Sequence, residues 1–192
     1  MQKRKKIIVL ASGSGSNFEA LAAACYNRLI NGDIVFLAAS RPDIGAVAKA
    51  QKFNIPVFVE GSGDLAETLK SAQPDLICLA GYLKKLPSKI LQICPAMNIH
   101  PALLPNFGGK GMYGHHVHEA VLKSGAKESG ATVHFVNEDY DKGAIIAQAK
   151  VPVLPGDTPQ TLAARVLQQE HKLYPHCVKL FCEGRVPSQG KL

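Results

Sequence analysis

The sequence predicts an α/β fold: an open, mostly parallel, twisted sheet of about seven strands with helices on both faces. Three observations carry that prediction. Short apolar runs alternate with segments of helical spacing up to about residue 100. Runs such as IIVLAS and DLICLAG lack the polar alternation of a half-exposed strand, as expected for parallel strands covered on both faces. Beyond about residue 130 the rhythm changes to ATVHFVN and AIIAQAKVPV, two alternating runs joined by EDYDKG, which read as a hairpin or a pair of late strands.

Taken in order, residues 7–12 form the first strand. The basic lead MQKRKK mimics the start of a signal peptide. The apolar run after it is too short and leads into a glycine-rich turn, so the lead reads as a solvated approach to the strand. A helix opens near Asn17, with Phe18, Leu21, Cys25 and Leu29 at helical spacing. Strands follow at 33–40, 56–60, 75–81 and 97–100, separated by helices at 45–53, 64–72 and 87–93. The last of these helices starts on Pro87, whose missing N–H costs nothing there. A long helix from about Thr158 carries Leu162, Val166, Gln169, Leu173 and Cys177 on one face, and the tail RVPSQGKL is expected to fray. With no repeat and no low-complexity linker, residues 1–192 read as one domain with a core of about 7–184.

Composition narrows the function. The chain is 46% apolar and 19% charged, ordinary for a globular protein, and no apolar run reaches the length that spans a membrane. The net charge is +7, but only the basic residues at 3–6 cluster and no basic stripe is interleaved with aromatics. That argues against nucleic acid as a partner and for attraction of small anions. The five cysteines (Cys25, Cys78, Cys94, Cys177, Cys182) are odd in number and lack CxxC spacing, which predicts a reducing cytoplasm with neither disulfide framework nor zinc knuckle.

In open parallel sheets ligands bind at the carboxyl ends of the strands. SGSGSN, GYLKK and NIHPALLP fall there. In SGSGSN the glycines permit a tight turn with N–H groups aimed at an anion, and Ser16 and Asn17 add side-chain donors. The third glycine of a dinucleotide fingerprint is absent and the second strand ends in Ser40-Arg41, so a single phosphate fits better, unless the turn only carries a serine cap. In NIHP, Asn98 and His100 share one face of a strand, where an amide donor and an imidazole can hold a carbonyl oxygen and move a proton, or merely satisfy buried backbone. EDYDKG offers three carboxylates, one of which could orient His100, although such residues usually cap turn amides. GKGMYGHHVHEAV reads as a mobile loop over a site. Its His115, His116 and His118 lack an i, i+4 histidine pair and no carboxylate cluster is evident nearby, so no metal is expected. Glu170 and His171 read as a solvated helix face, with the alternative that the carboxylate accepts from sugar hydroxyls.

ASGSGSN, LAGYLKKL, NIHPALLP, VHFVNEDYDKGAIIAQ and ARVLQQEHKLYP, in that order, resemble the phosphoribosylglycinamide formyltransferase family from about residue 7 to 184. The resemblance implies a formyltransferase-like variant of the Rossmann-type fold. It implies a cytoplasmic enzyme of purine biosynthesis, monomer or homodimer, that transfers a formyl group from 10-formyltetrahydrofolate to the amine of glycinamide ribonucleotide without a metal. It assigns catalysis to Asn98, His100 and Asp141, phosphate binding to Gly15, Ser16 and Asn17, and ribose binding to Glu170. Folate would meet Leu83, Lys84, Lys85, Leu86, Asn98, Val136, Asp139 and Asp141. On this reading Asn98 and a protonated His100 share one oxyanion, and the charge of Asp141 favours the cationic ring. Two positions depart from the family: EGSGDLAE has no arginine near the folate tail, and Lys84-Lys85 stands where arginine is frequent.

Rival readings remain. A 10-formyltetrahydrofolate hydrolase is expected to carry an extra N-terminal domain, and an initiator-tRNA formyltransferase an extra C-terminal one. A nucleotide-binding module without catalysis explains the glycine turn but not Asn98, His100 and Asp141 together. An NADP oxidoreductase using Arg41 lacks the third glycine.

Overall fold

The structure, a computed structural model, describes residues 3–186. The elements run β1 (Lys5–Ala11), α1 (Ser16–Tyr26), β2 (Gly32–Ala39), α2 (Gly45–Lys52), β3 (Val57–Val59), α3 (Leu65–Ala72), β4 (Leu76–Leu79), α4 (Ser88–Leu91), β5 (Ala96–His100), α5 (His115–Lys123), β6 (Glu128–Phe135), β7 (Ile145–Pro152) and α6 (Pro159–Cys182). One seven-stranded sheet has the order β3-β2-β1-β4-β5-β6-β7. The first five strands pair in parallel. β6 and β7 add antiparallel, as the late alternating runs predict.

Two apolar layers cover the sheet. α1, α2, α5 and α6 lie over one face, with Phe18, Leu21, Val121, Val166 and Tyr174 packed on Val9, Leu37 and Met97. α3 and α4 lie over the other, with Leu69 and Ile90 on Ile8, Leu10 and Ile77. Asp64 caps α3 by accepting from Ala66 N–H, and Thr158 with Thr161 forms a capping box on α6. No helix among the described residues is long and apolar enough to cross a membrane.

Four expectations need correction. The end of the basic lead, Lys5 and Lys6, is part of β1, and acidic residues receive it: Arg4 donates to Asp33 Oδ1 and Oδ2 at 2.8 Å each, and Lys5 Nζ to Asp75 Oδ1 at 3.0 Å. α1 ends at Tyr26, before a left-handed Arg28, so Leu29 lies outside the helix and is 63% exposed. The buried face of α6 keeps the predicted Leu162, Val166 and Cys177 but takes Glu170 and Tyr174 in place of Gln169 and Leu173, because Glu170 meets Asn17 and the Tyr174 hydroxyl meets the carbonyls of Leu79 and Met97. The histidine-rich stretch is a loop only as far as Gly114, where α5 begins. The tail expected to fray falls at 187–192, outside the described residues.

One contact of α6 prepares the site. The buried Tyr174 hydroxyl lies 3.0 Å from both Leu79 O and Met97 O, bridging β4 and β5 one residue before Asn98.

Candidate active site

A cavity of about 700 Å³ opens at the carboxyl ends of β4 and β5. The turn after β4 forms one wall, the 109–114 loop and the start of α5 another, and α6 closes it through Ala163, Leu167 and Glu170.

At its inner end, β5 presents Asn98 and His100 on one face, as strand alternation requires. Antiparallel β6 brings His134 opposite Asn98 and Thr132 opposite His100. Asn98 Nδ2 lies 3.2 Å from His134 Nε2, and His134 Nδ1 lies 2.7 Å from Phe135 O. A carbonyl only accepts, so Nδ1 carries a proton and leaves Nε2 facing the Asn98 amide. Asp141 enters from the β6–β7 connection in a left-handed conformation with φ 56°. Its Oδ1 lies 3.5 Å from both Asn98 Nδ2 and His134 Nε2. Its Oδ2 accepts from Gly109 N–H at 2.9 Å and lies 3.6 Å from His100 Nδ1. Asn98, His100 and Asp141, which sequence spacing alone could not connect, therefore come together.

Two details differ from expectation. His100 Nε2 donates to Phe107 O at 2.8 Å, so here Asn98 and His100 share the Asp141 carboxylate rather than a free oxygen. The charge of Asp141 also does not win at His100. Burial lowers the imidazole pKa and outweighs the opposing pull of Asp141 and of the Phe107 carbonyl. At Asp141 the balance is reversed. Burial acts to raise the pKa, but the hydrogen bond with His134, the charge of His100 and the Gly109 N–H hold the carboxyl below its ordinary value.

The other end of the cavity joins residues far apart in sequence. Gly15 is the N-cap of α1 at φ 75°, and a Cβ there would lie 2.5 Å from Ala46 Cα, so only glycine fits. No side chain caps α1; the serine-cap reading fails and its first amides face the turn. Gly15 and Ser16 adjoin the cavity wall without lining it, whereas Asn17 lines it. Asn17 Nδ2 donates to Glu170 Oε2 at 2.5 Å, while its Oδ1 is enclosed without a partner among the described residues. Glu170 is only 6% exposed, not solvated, and burial raises its pKa against the hydrogen bond from Asn17. His171 is half-buried, lies outside the cavity wall, and keeps Nε2 enclosed without a partner among the described residues.

Along the remaining wall lie Leu83, Lys84, Lys85, Leu86, Val136, Asp139 and Asp141. Leu86 is buried and Leu83 exposed. Lys84 pairs with Glu60, which also accepts from the Tyr82 hydroxyl. Lys85 is exposed and forms no ion pair with the described residues. The sequence reading passed over His134 and did not place His118, which is buried beside the cavity with Nδ1 unpartnered. The alternation of ATVHFVN held the signal for His134, since it sets that side chain on the face of Thr132. Beside the histidine cluster one carboxylate, Glu119, contacts both His115 and His116.

An amide and an imidazole at the end of β5, with a second imidazole from antiparallel β6 and a carboxylate from the turn after it, form a set of groups that can support acyl-type transfer. Residues 5–178 match the formyl transferase family, and this chain is an enzyme of that family. Its relatives are more particular. Phosphoribosylglycinamide formyltransferase of Arabidopsis thaliana, a chloroplastic protein, is 47% identical over 197 residues, covering 96% of this chain and 68% of its own length. The enzyme of the same name from Haemophilus influenzae is 38% identical over 200 residues, covering 98% and 92%. In two other plant relatives this chain spans 63% and 65% of the length. The crystal structure of glycinamide ribonucleotide transformylase 1 from Symbiobacterium toebii superposes with a TM-score of 0.90 at 36% identity, over 99% of this chain and 93% of that one. The seven-stranded α/β fold read from the sequence is the fold of that enzyme.

Proposed function

We propose that the chain transfers the formyl group of 10-formyltetrahydrofolate to the amine of glycinamide ribonucleotide. The observation that carries this reading is one continuous cavity, which runs from Lys84 and Lys85 past Asn98, His100 and Asp141 to Asn17 and Glu170. Such a space accommodates a donor and an acceptor whose reacting atoms meet beside the Asp141 network.

The folate ring lies along 83–86 and 136–141, with Val136 and Leu86 apolar against it and Asp139 at the rim. Lys84 and Lys85 receive the anionic tail, Lys84 by leaving Glu60. The phosphate sits on the uncapped start of α1 at Gly15 and Ser16, where N–H groups and helix dipole favour an anion. Glu170 accepts from ribose hydroxyls, steered by Asn17.

The neutral amine attacks the formyl carbon, a C–N bond forms, and charge develops on the formyl oxygen. An amide NH2 carries two protons. One Asn98 proton is directed to His134, and the other stabilises the oxyanion. His100 exchanges Phe107 O for the same oxygen and donates through Nε2. Asp141, held ionised, takes the proton of the attacking amine and returns it through water to the folate nitrogen as the old C–N bond breaks. Both substrates are small molecules, so neither nucleic acid nor membrane enters the reaction.

The test mixes purified protein, glycinamide ribonucleotide and 10-formyltetrahydrofolate and follows deformylated folate, with an acceptor-free control and a His100→Ala variant. Turnover is expected only with acceptor and should fall at least about 10²-fold in the variant. Equal turnover without acceptor would instead identify a hydrolase.

A further inference from the structure

A second convergence of polar side chains lies at the start of α5, outside the Asp141 network. Positions i, i+3 and i+4 share a helix face, so His116 and His115 both reach Glu119. His115 Nε2 stands 3.3 Å from Glu119 Oε1, and His116 Nδ1 stands 3.6 Å from Oε2. Each carboxylate oxygen thus faces a different ring, and one ligand atom from each residue falls within 4.8 Å of the other two. The two rings lie 4.5 Å apart at 31°, and Tyr113 packs edge-on against His116 at 5.6 Å, so neighbours hold both imidazoles.

Ligands about 2.0–2.1 Å from a tetrahedral ion stand roughly 3.3–3.4 Å from one another. Both nitrogen–oxygen gaps are near that value, and all three side chains are exposed to entering ions. We propose that His115, His116 and Glu119 form a binding site for a divalent transition-metal ion of the zinc type, with its remaining position open to water. The donors select the class of ion. Imidazole nitrogen suits zinc, nickel and copper, whereas magnesium and calcium take oxygen.

The ion is no reactant in the transfer, because His116 and Glu119 lie outside the cavity wall. His115, however, belongs to that wall and directly follows the 109–114 loop. A bound ion therefore staples the first turn of α5, directly after the loop, while leaving the Asp141 network untouched.

The test titrates the untagged native chain with zinc by calorimetry and reads cobalt binding by its visible spectrum. His116→Ala and Glu119→Gln are run alongside, with magnesium as a separate arm. One equivalent of zinc should bind, each substitution should weaken it at least about tenfold, and magnesium should give no binding. Amide exchange over His115–Lys123 should slow with zinc in the native chain and stay unchanged in both variants. Basal formyl transfer and melting temperature should match the native chain in both, which separates loss of the site from loss of the fold. No stoichiometric binding overturns the proposal. So does binding that survives either substitution, as it would if Cys94 or another cysteine held the metal.

Discussion

The two ends of the cavity are built by different means. At the inner end, Asn98, His100 and His134 converge on Asp141, three contributed by adjacent strands and one by a left-handed turn residue. At the outer end the glycine turn before α1 supplies backbone shape, and the side-chain pair beside it, Asn17 with Glu170, is half-satisfied among the described residues. The inner end depends on which side chains are present. The outer end depends on which conformation the chain can adopt. Substitutions should therefore divide into losses of kcat and losses of affinity.

The sharpest way to break that division is Asn98→Ala or His100→Ala. Each should lower kcat by about 10²–10³-fold while nucleotide KM changes little, measured by steady-state kinetics. A rise in KM alone would mean the inner end only binds. Asp141→Asn should cost about 10²-fold in kcat. It should also move the NMR titration of His100 to lower pH, because the Asp141 charge is the chief influence holding that pKa up against burial. A shift to higher pH would sink the electrostatic account.

At the outer end, Gly15→Ala forces a side chain into φ 75° against Ala46 and should cost about 1–3 kcal/mol of stability by chemical denaturation. The residual folded enzyme should show raised nucleotide KM with nearly normal kcat. Glu170→Gln is the mildest change, expected to raise nucleotide KM about tenfold at unchanged kcat, a loss of about 1.4 kcal/mol in binding. It also carries a pH signature. Burial puts the folded pKa of Glu170 above its ordinary 4.5, so its folded state holds the proton more tightly than the unfolded chain. That stability is fully present below pH 4.5 and is lost as pH rises through the folded value. The glutamine variant should lack this decline, read by melting temperature across pH.

The legibility of the sequence follows the same division. Strands buried on both faces announce themselves as unbroken apolar runs, so β1, β2 and β4 were readable, as was the switch to the antiparallel β6–β7 pair. Asn98 and His100 were visible as a pair because alternation needs only local spacing. The contact of Asp141 with them was not, since it depends on a left-handed residue reaching across 43 and 41 positions from Asn98 and His100. His134 was missed because the alternation of its run gives only its face, while its place opposite Asn98 depends on register with β5. α5 was hidden by the glycines preceding it, and the burial of Glu170 by the assumption that a charge in a long helix faces water.

The bond between Asn17 and Glu170 has one further consequence. It joins residues 153 positions apart, so it closes one of the longest loops in the chain. Contacts of that reach form late in folding, because the loop entropy must be overcome before they contribute. A nucleotide bound there engages only a chain whose last helix has already docked on its first. Substrate would then act as a clamp on the completed fold, and its concentration would set how often α6 detaches.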